Sequence, residues 1–214
     1  ILINALYFKG IWQQKFDPDH TYQANFTRKD GTNFKVAMMK QKGNFREYKG
    51  ENIRIVELPY GKGDYSMVMG LPARGSSTKE LIANLNTQTW QQWMNQMDST
   101  RDLWVHIPQF KFSYSNTLNP ELKALGMSNA FSEQANFQGI IKNEKLFISY
   151  VKHKTFIEVN EEGTEAAAAT ATGIAFTSLG PEPFIANRPF IFAIRDIHNG
   201  TLLFLGKVND PRKE

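Results

Sequence analysis

The residue patterns in this 214-residue chain that invite a catalytic reading are four histidines, one acidic cluster and two glycine-containing turns, and the sequence holds no cysteine. That absence removes disulfides, thiolate zinc sites and a cysteine nucleophile together. His20, His106, His153 and His198 share no metal-ligand spacing with one another or with a carboxylate pair, so no metal centre is expected. Gly61-Lys62-Gly63 lacks the spacing of a phosphate-binding loop, and Gly75-Ser76-Ser77 lacks the Gly-x-Ser-x-Gly elbow that exposes a nucleophilic serine. Both read as turns. His153 stands among Val151, Phe156 and Ile157, where a core histidine with satisfied hydrogen bonds is expected rather than a base. Glu161, Glu162 and Glu165 look like paired acids, but a flexible loop would neither bury one to raise its pKa nor fix their separation. The residues support neither an enzyme nor a bound cofactor.

The acidic cluster opens a more informative stretch: Glu161-Glu162-Gly163-Thr164-Glu165, then Ala166-Ala167-Ala168-Ala169-Thr170-Ala171-Thr172, leading to Gly173-Ile174-Ala175-Phe176-Thr177-Ser178. Alanine favours helix and threonine strand, and no apolar stripe of period 3.6 is present to dock a helix. Propensity therefore leaves an alanine-rich linker, a helix and a loop able to become a strand all open. As a strand, Thr164, Ala166, Ala168, Thr170, Thr172 and Ile174 would share one face, and Glu165, Ala167, Ala169, Ala171 and Gly173 the other. The first face carries no charge.

The elements around this stretch are mainly strands. Runs at 1–8, 33–39, 53–58, 65–70, 103–112, 146–159, 190–195 and 201–208 are strand-like, and most are bounded by turn residues. Pro59-Tyr60-Gly61-Lys62-Gly63-Asp64 and His198-Asn199-Gly200 predict hairpins and hence antiparallel pairs, the Asn-Gly step supplying the positive backbone angles of a tight turn. Helices are expected over 78–97, in one or two pieces, and over 119–125. Trp90, Trp93, Met94 and Met97 fall at i, i+3, i+4 and i+7, a stripe for core packing. Pro181 and Pro183 end regular structure behind the alanine run. No repeat or linker breaks the chain, so one domain mixing sheets and helices is the simplest organisation.

Composition bounds the remaining classes. A hydrophobic content of 41% with 13% aromatics indicates a globular chain with a sizeable core. The net charge of +4 is dispersed through Arg28-Lys29, Lys40/Lys42 and Lys152/Lys154, which allows a weak polyanion contact. No basic helix or aromatic RNA-binding motif accompanies it, so no nucleic-acid partner is expected. No apolar stretch approaches membrane-spanning length, and no membrane partner is expected either. The sequons Asn25-Phe26-Thr27 and Asn199-Gly200-Thr201 would suit glycosylation of a secreted, extracellular protein, with a cytoplasmic location as the alternative. The opening Ile1-Leu2-Ile3 reads as mid-strand, as in the C-terminal part of something longer.

Taken together, these stretches resemble the C-terminal part of a serpin, the family of protease inhibitors named for serine proteases. Glu161 to Ala168 looks like the proximal hinge of the serpin reactive-centre loop, and Phe184-Ile185-Ala186-Asn187-Arg188-Pro189-Phe190-Ile191-Phe192-Ala193-Ile194 fits the family's C-terminal signature. Asn4-Ala5 with Phe8-Lys9-Gly10-x-Trp12, Met38-Met39-Lys40, Leu125-Gly126-Met127 leading to Ala130-Phe131, and His153-Lys154 extend the match over all 214 residues. The resemblance implies an α+β fold of mixed, mostly antiparallel sheets with peripheral helices. Residues 1–214 would form the C-terminal part of a single domain, with 161–178 as its reactive-centre loop. The N-terminal part would be missing, so a companion chain or the absent portion is expected to cover the open sheet edges.

What the resemblance further implies is suicide inhibition. A protease cleaves the loop, the hinge enters the central sheet as an added strand, and the acylated protease is carried with it. Entry needs small uncharged side chains on the buried face, which Thr164, Ala166, Ala168, Thr170 and Thr172 supply, while Glu165, Ala167 and Ala169 stay outside. By the same resemblance Asn4 and His153 match a polar pair beneath the sheet opening, and Trp12 matches the residue at its top; ordinary core packing is the plain alternative for each. Counting the family's usual loop length from Glu161 puts the scissile bond between Thr177 and Ser178, with Phe176-Thr177 or Ser178-Leu179 one residue to either side. Thr177 before the bond suits an elastase-like pocket, and Phe176 behind it suits a papain-like cysteine protease. No Arg or Lys lies between Gly163 and Asn187, which disfavours trypsin-like targets. A serpin-fold binding protein or chaperone that inhibits nothing is the other reading.

Overall fold

The computed structural model describes residues 1–142, 144–163 and 180–212. The chain divides into two compact units, one of residues 9–111 and 158–213 and the other of residues 1–8 and 112–157 with residue 214.

In the larger unit the two expected hairpins form. β4 (Ile53–Tyr60) and β5 (Tyr65–Pro72) pair antiparallel from Ile53↔Pro72 to Tyr60↔Tyr65, and β10 (Phe190–Asp196) pairs antiparallel with β11 (Leu202–Val208). They belong to one eight-stranded sheet ordered β11-β10-β5-β4-β3-β6-β9, where β3 is Asn33–Lys49, β6 is Asp98–Pro108 and β9 is Phe184–Ile185. β2 (Tyr22–Thr27) joins the same sheet along β3. β3 is 17 residues long and serves two sets of neighbours: residues from Asn33 to Met38 meet β2, and Arg46 to Lys49 meet β4, with a register shift against β6 at Gly43/Phe45.

β10, flanked on both sides, is a continuous buried apolar run from Phe190 to Ile194, as a central strand should be. Its Arg195 is buried too, and is matched by the buried carboxylate of Glu57, which also accepts from Arg46 and from Ser66 Oγ. Three residues donating to one buried carboxylate, Arg195 through both Nε and Nη2, leave its charge satisfied.

The expected helix over 78–97 is two pieces. Ser77 and Glu80 form a reciprocal capping box on α1 (Thr78–Ala83), and Asn86 caps α2 (Thr87–Asn95) by accepting from Thr89 N. Trp93, Met94 and Met97 pack with Leu81 on Ile53, Ile55, Val68 and Ile191, and Trp90 lies half-buried against that cluster.

In the smaller unit β1 (Leu2–Tyr7), β8 (Val151–Val159) and β7 (Phe110–Thr117) form a three-stranded sheet ordered β1-β8-β7. α3 (Asn119–Leu122) begins a helical stretch that runs on to Met127, over the residues where one was expected.

Two features depart from the sequence expectations. β2 was not foreseen, because Gln23 and Asn25 face outward and only Phe26 is wholly buried. The single run over 103–112 is two strands broken at Gln109, whose backbone N turns aside to donate to Ala37 O. The mixed character expected of the sheets comes from two parallel pairings, β1 with β8 and β6 with β9.

Candidate functional site

The two ends of the segment from 164 to 179 are where the chemistry-bearing side chains converge. The entry is a tight turn after β8, in which Asn160 N donates to Gly163 O and Gly163 N to Asn160 O. Residues 11–16 close over it. Trp12 N donates to Glu162 O at 2.8 Å and Phe16 N to Glu161 O at 2.9 Å, while the Trp12 indole Nε1 donates to Asn160 O at 2.8 Å. Trp12 is buried, stacked on Tyr60 at 4.4 Å between centroids and edge-on to Phe16.

Gly163 is required twice over. Its φ is +141°, and a Cβ there would lie 2.0 Å from Gly10 O, 2.7 Å from Ile11 Cα and 2.8 Å from Trp12 N. These neighbours are backbone, so none can swing aside.

Glu161 overturns the expectation of a solvated, unconstrained acid. It is only 2% exposed, and its carboxylate accepts from Thr21 Oγ1 and, at 2.7 and 2.8 Å, from Gln109 Nε2. The donors are neutral, and no cation pairs with Glu161 among the described residues. Burial and fixed geometry arise because β8 delivers Glu161 below the strap of residues 11–16. Glu162, one residue on, points outward to Lys15 at 3.9 Å. Carboxylates one residue apart thus face opposite environments and cannot act as a pair.

The exit is held by Arg54 of β4. Its guanidinium donates to Glu182 O and, at 2.8 Å, to Pro183 O, lies over the Phe184 ring, and is paired on its other side with the buried carboxylate of Glu47. Thr100 and Lys49 complete the shell of Glu47. β9 then pairs Phe184 with Val105 and Ile185 with His106. Arg54→Ala is expected to cost about 2 kcal/mol, less than a fully broken buried pair because Lys49 and Thr100 remain on Glu47. Amide exchange at Phe184 and Ala186 should rise roughly tenfold; unchanged exchange in the intact protein would show that Arg54 does not hold this end.

The remaining sequence-derived site residues fall as follows. Asn4 of β1 stands in register with His153 of β8, so the two share one face of the three-stranded sheet, and no side-chain hydrogen bond joins them among the described residues. Asn25 and Asn199 are both exposed, but the Asn199 amide nitrogen already donates to Asp196. Thr164, Glu165, Ala166, Ala167, Ala168, Ala169, Phe176, Thr177 and Ser178 lie outside the described residues. Sequence reasoning passed over Thr21, Gln109, Glu47 and Arg54, since polar residues in strands carry no local mark of a partner far along the chain.

The described residues thus fix both ends of the 164–179 segment, which is entered through Gly163 and followed by the short parallel strand β9. The Serpin (serine protease inhibitor) family profile matches residues 1–211, and the chain belongs to the serpin family. It is 40% identical to the leukocyte elastase inhibitor of Sus scrofa and 37% identical to the antithrombin-III of Homo sapiens, each over 99% of this chain, covering 58% and 47% of those proteins. The solved native state of the thermophilic serpin tengpin superposes with a TM-score of 0.84 at 33% identity, covering 97% of this chain and 55% of that one. The chain spans about half the length of the relatives it matches.

Proposed function

We propose that the intact protein inhibits proteases by offering residues 161–178 as a substrate loop and trapping the enzyme when the cleaved hinge enters the three-stranded sheet. The observation that carries this reading is the β1–β8 seam. The segment after Gly163 continues from β8, so as an added strand it would run antiparallel to β8 and lie along one of its two edges. One edge is occupied by β7 and the other by β1, whose six-residue parallel pairing from Leu2↔Val151 to Tyr7↔Phe156 has no strand between. Parallel pairing of two strands leaves a place between them for a strand antiparallel to both. Entry there separates Asn4 from His153, and Thr164, Ala166, Ala168, Thr170 and Thr172 bring no charge and little bulk to the buried face.

Asn4 and His153 then act as closures of the seam, and Trp12 and Glu161 hold the turn from which the loop departs. The native state stores the free-energy difference kinetically until cleavage frees the hinge. The scissile bond is Thr177–Ser178. The target is an elastase- or chymotrypsin-like serine protease, a choice the printed name of the pig relative supports, or a papain-like cysteine protease selected through Phe176.

Incubation of the intact protein with a panel of both protease classes is expected to yield a denaturant-resistant adduct and a released C-terminal peptide beginning at Ser178 by mass spectrometry. A peptide beginning at Thr177 moves the recognition residue to Phe176. Cleavage with neither an adduct nor a rise in heat stability would replace inhibition by the binding-protein reading.

A further inference from the structure

A cavity of about 520 Å³ lies on the larger unit, lined in part by the link from β9 to β10, and its lining is unusually cationic. The turn after β2 gives it Arg28 and Lys29, the turn from β5 into α1 gives Arg74, and the link from β9 to β10 gives Arg188. Glu80 is the sole carboxylate in the lining, so four cations face one anion. That carboxylate is already engaged, accepting from Ser76 Oγ at 3.0 Å and Ser77 N at 3.1 Å.

Two of the cations are fixed in place. Arg188 forks the Pro72 carbonyl with Nε and Nη2 at 3.2 and 2.6 Å, and Arg28 is tied to the buried carboxylate of Asp210 while lying over the Phe34 ring. The other two, Lys29 and Arg74, are exposed and make no close ion pair among the described residues, although the Lys29 charge reaches Glu80 and helps hold its carboxyl low. Burial and the neighbouring Arg74 charge both push the Arg188 guanidinium below its usual range, so the cluster repels itself as it stands. An ordinary surface scatters such charges and lets solvent screen them. Here preorganised arginines and unpaired cations surround one concave space, the arrangement by which guanidinium forks recognise tetrahedral oxyanions.

We propose that this cavity binds a small organic anion carrying two linked phosphate or sulfate groups on a sugar-sized ring. Arg188 and Arg28 supply the fixed forks, Lys29 and Arg74 close on the charge from the rim, and the volume is too large for a lone phosphate. A nucleoside diphosphate and a disulfated disaccharide share this chemistry. The proposal does not rest on the inhibitory reading, so inhibition could fail while binding here stands.

Isothermal titration of the intact protein at about 50 mM salt with pyrophosphate, ADP and a disulfated disaccharide separates the sources. At least one of the two organic probes is expected to bind below about 100 μM, and pyrophosphate roughly tenfold more weakly. Tighter ADP identifies a nucleotide, and a tighter disaccharide a sulfated sugar. Lys29→Ala with Arg74→Ala should weaken the preferred probe at least tenfold, and Arg74→Gln alone severalfold, with melting of the unliganded protein unchanged because both side chains are exposed. Binding weaker than about 1 mM for all three probes, or an affinity untouched by these substitutions, would overturn the assignment.

Discussion

Gly163→Ala in the intact protein is expected to lower stability by about 4 kcal/mol and to abolish adduct formation with the target protease. Two costs add at this position. A positive φ of +141° is strained for any residue with a Cβ, and the new methyl would stand 2.0 Å from Gly10 O with two further backbone atoms within 2.8 Å. Side-chain overpacking is relieved by rotamer changes, but backbone contacts yield only if the strap moves. Moving it lengthens the bonds from Trp12 N to Glu162 O and from Phe16 N to Glu161 O, and lifts the indole from Asn160 O. The same displacement exposes Glu161 to water and weakens its contacts with Thr21 and Gln109.

On the proposed trapping reading, displacing residue 163 also displaces the start of the inserting segment, which is why adduct formation should be lost. Denaturant unfolding together with the ratio of adduct to cleaved product checks both parts. A variant as stable as the parent would refute the close packing, whereas a destabilised variant that still traps protease at the parental ratio would refute the hinge assignment alone.

Features written in contiguous residues were legible before any coordinates. The Asn199-Gly200 turn, the Trp93/Met94/Met97 stripe and the unbroken apolar run of β10 each announce themselves within a few positions, because turn chemistry and side-chain periodicity are local. Glu161 is the opposite case. Nothing around it marks it as buried, since its fixing partner Thr21 lies 140 positions away. Arg54 is similar, meeting Pro183 across 129 positions. β2 was legible in principle, since Tyr22, Ala24 and Phe26 alternate with exposed Gln23 and Asn25, but the run is six residues long and only Phe26 is wholly buried. The hinge was read through a family resemblance rather than from periodicity, which alone left helix, strand and linker open for residues 164–174.

Lowering the pH from 6.5 to about 4 is expected to remove roughly 3 kcal/mol of stability through His106 alone. His106 on β6 is 2% exposed; it shares a hydrogen bond between Nδ1 and Tyr22 Oη of β2, and it stands in register with Lys40 of β3. Desolvation, then the Lys40 charge, bring its pKa from 6.5 down to about 4. The unfolded chain therefore takes up this proton at a higher pH than the folded one. Stability is full above pH 6.5, where the imidazole is neutral in both states, and declines steadily until the folded-state value is reached.

Two other groups act in separable ways. The Asp210 carboxyl, held low chiefly by Arg212 and then Arg28, contributes above about pH 4 and loses that contribution only on further acidification. His198, raised by its hydrogen bond to Asp64, has the opposite sign: its contribution is present below pH 6.5 and fades as the pH rises through its folded value. His106→Gln removes the titration while keeping a polar group beside Tyr22. Urea unfolding of the intact protein at pH 7.5, 6.5, 5.5 and 4.5 should show a falling profile for the parent and a nearly flat one for the variant. An equal slope in both would place the acid sensitivity elsewhere and deny His106 its buried neutral state.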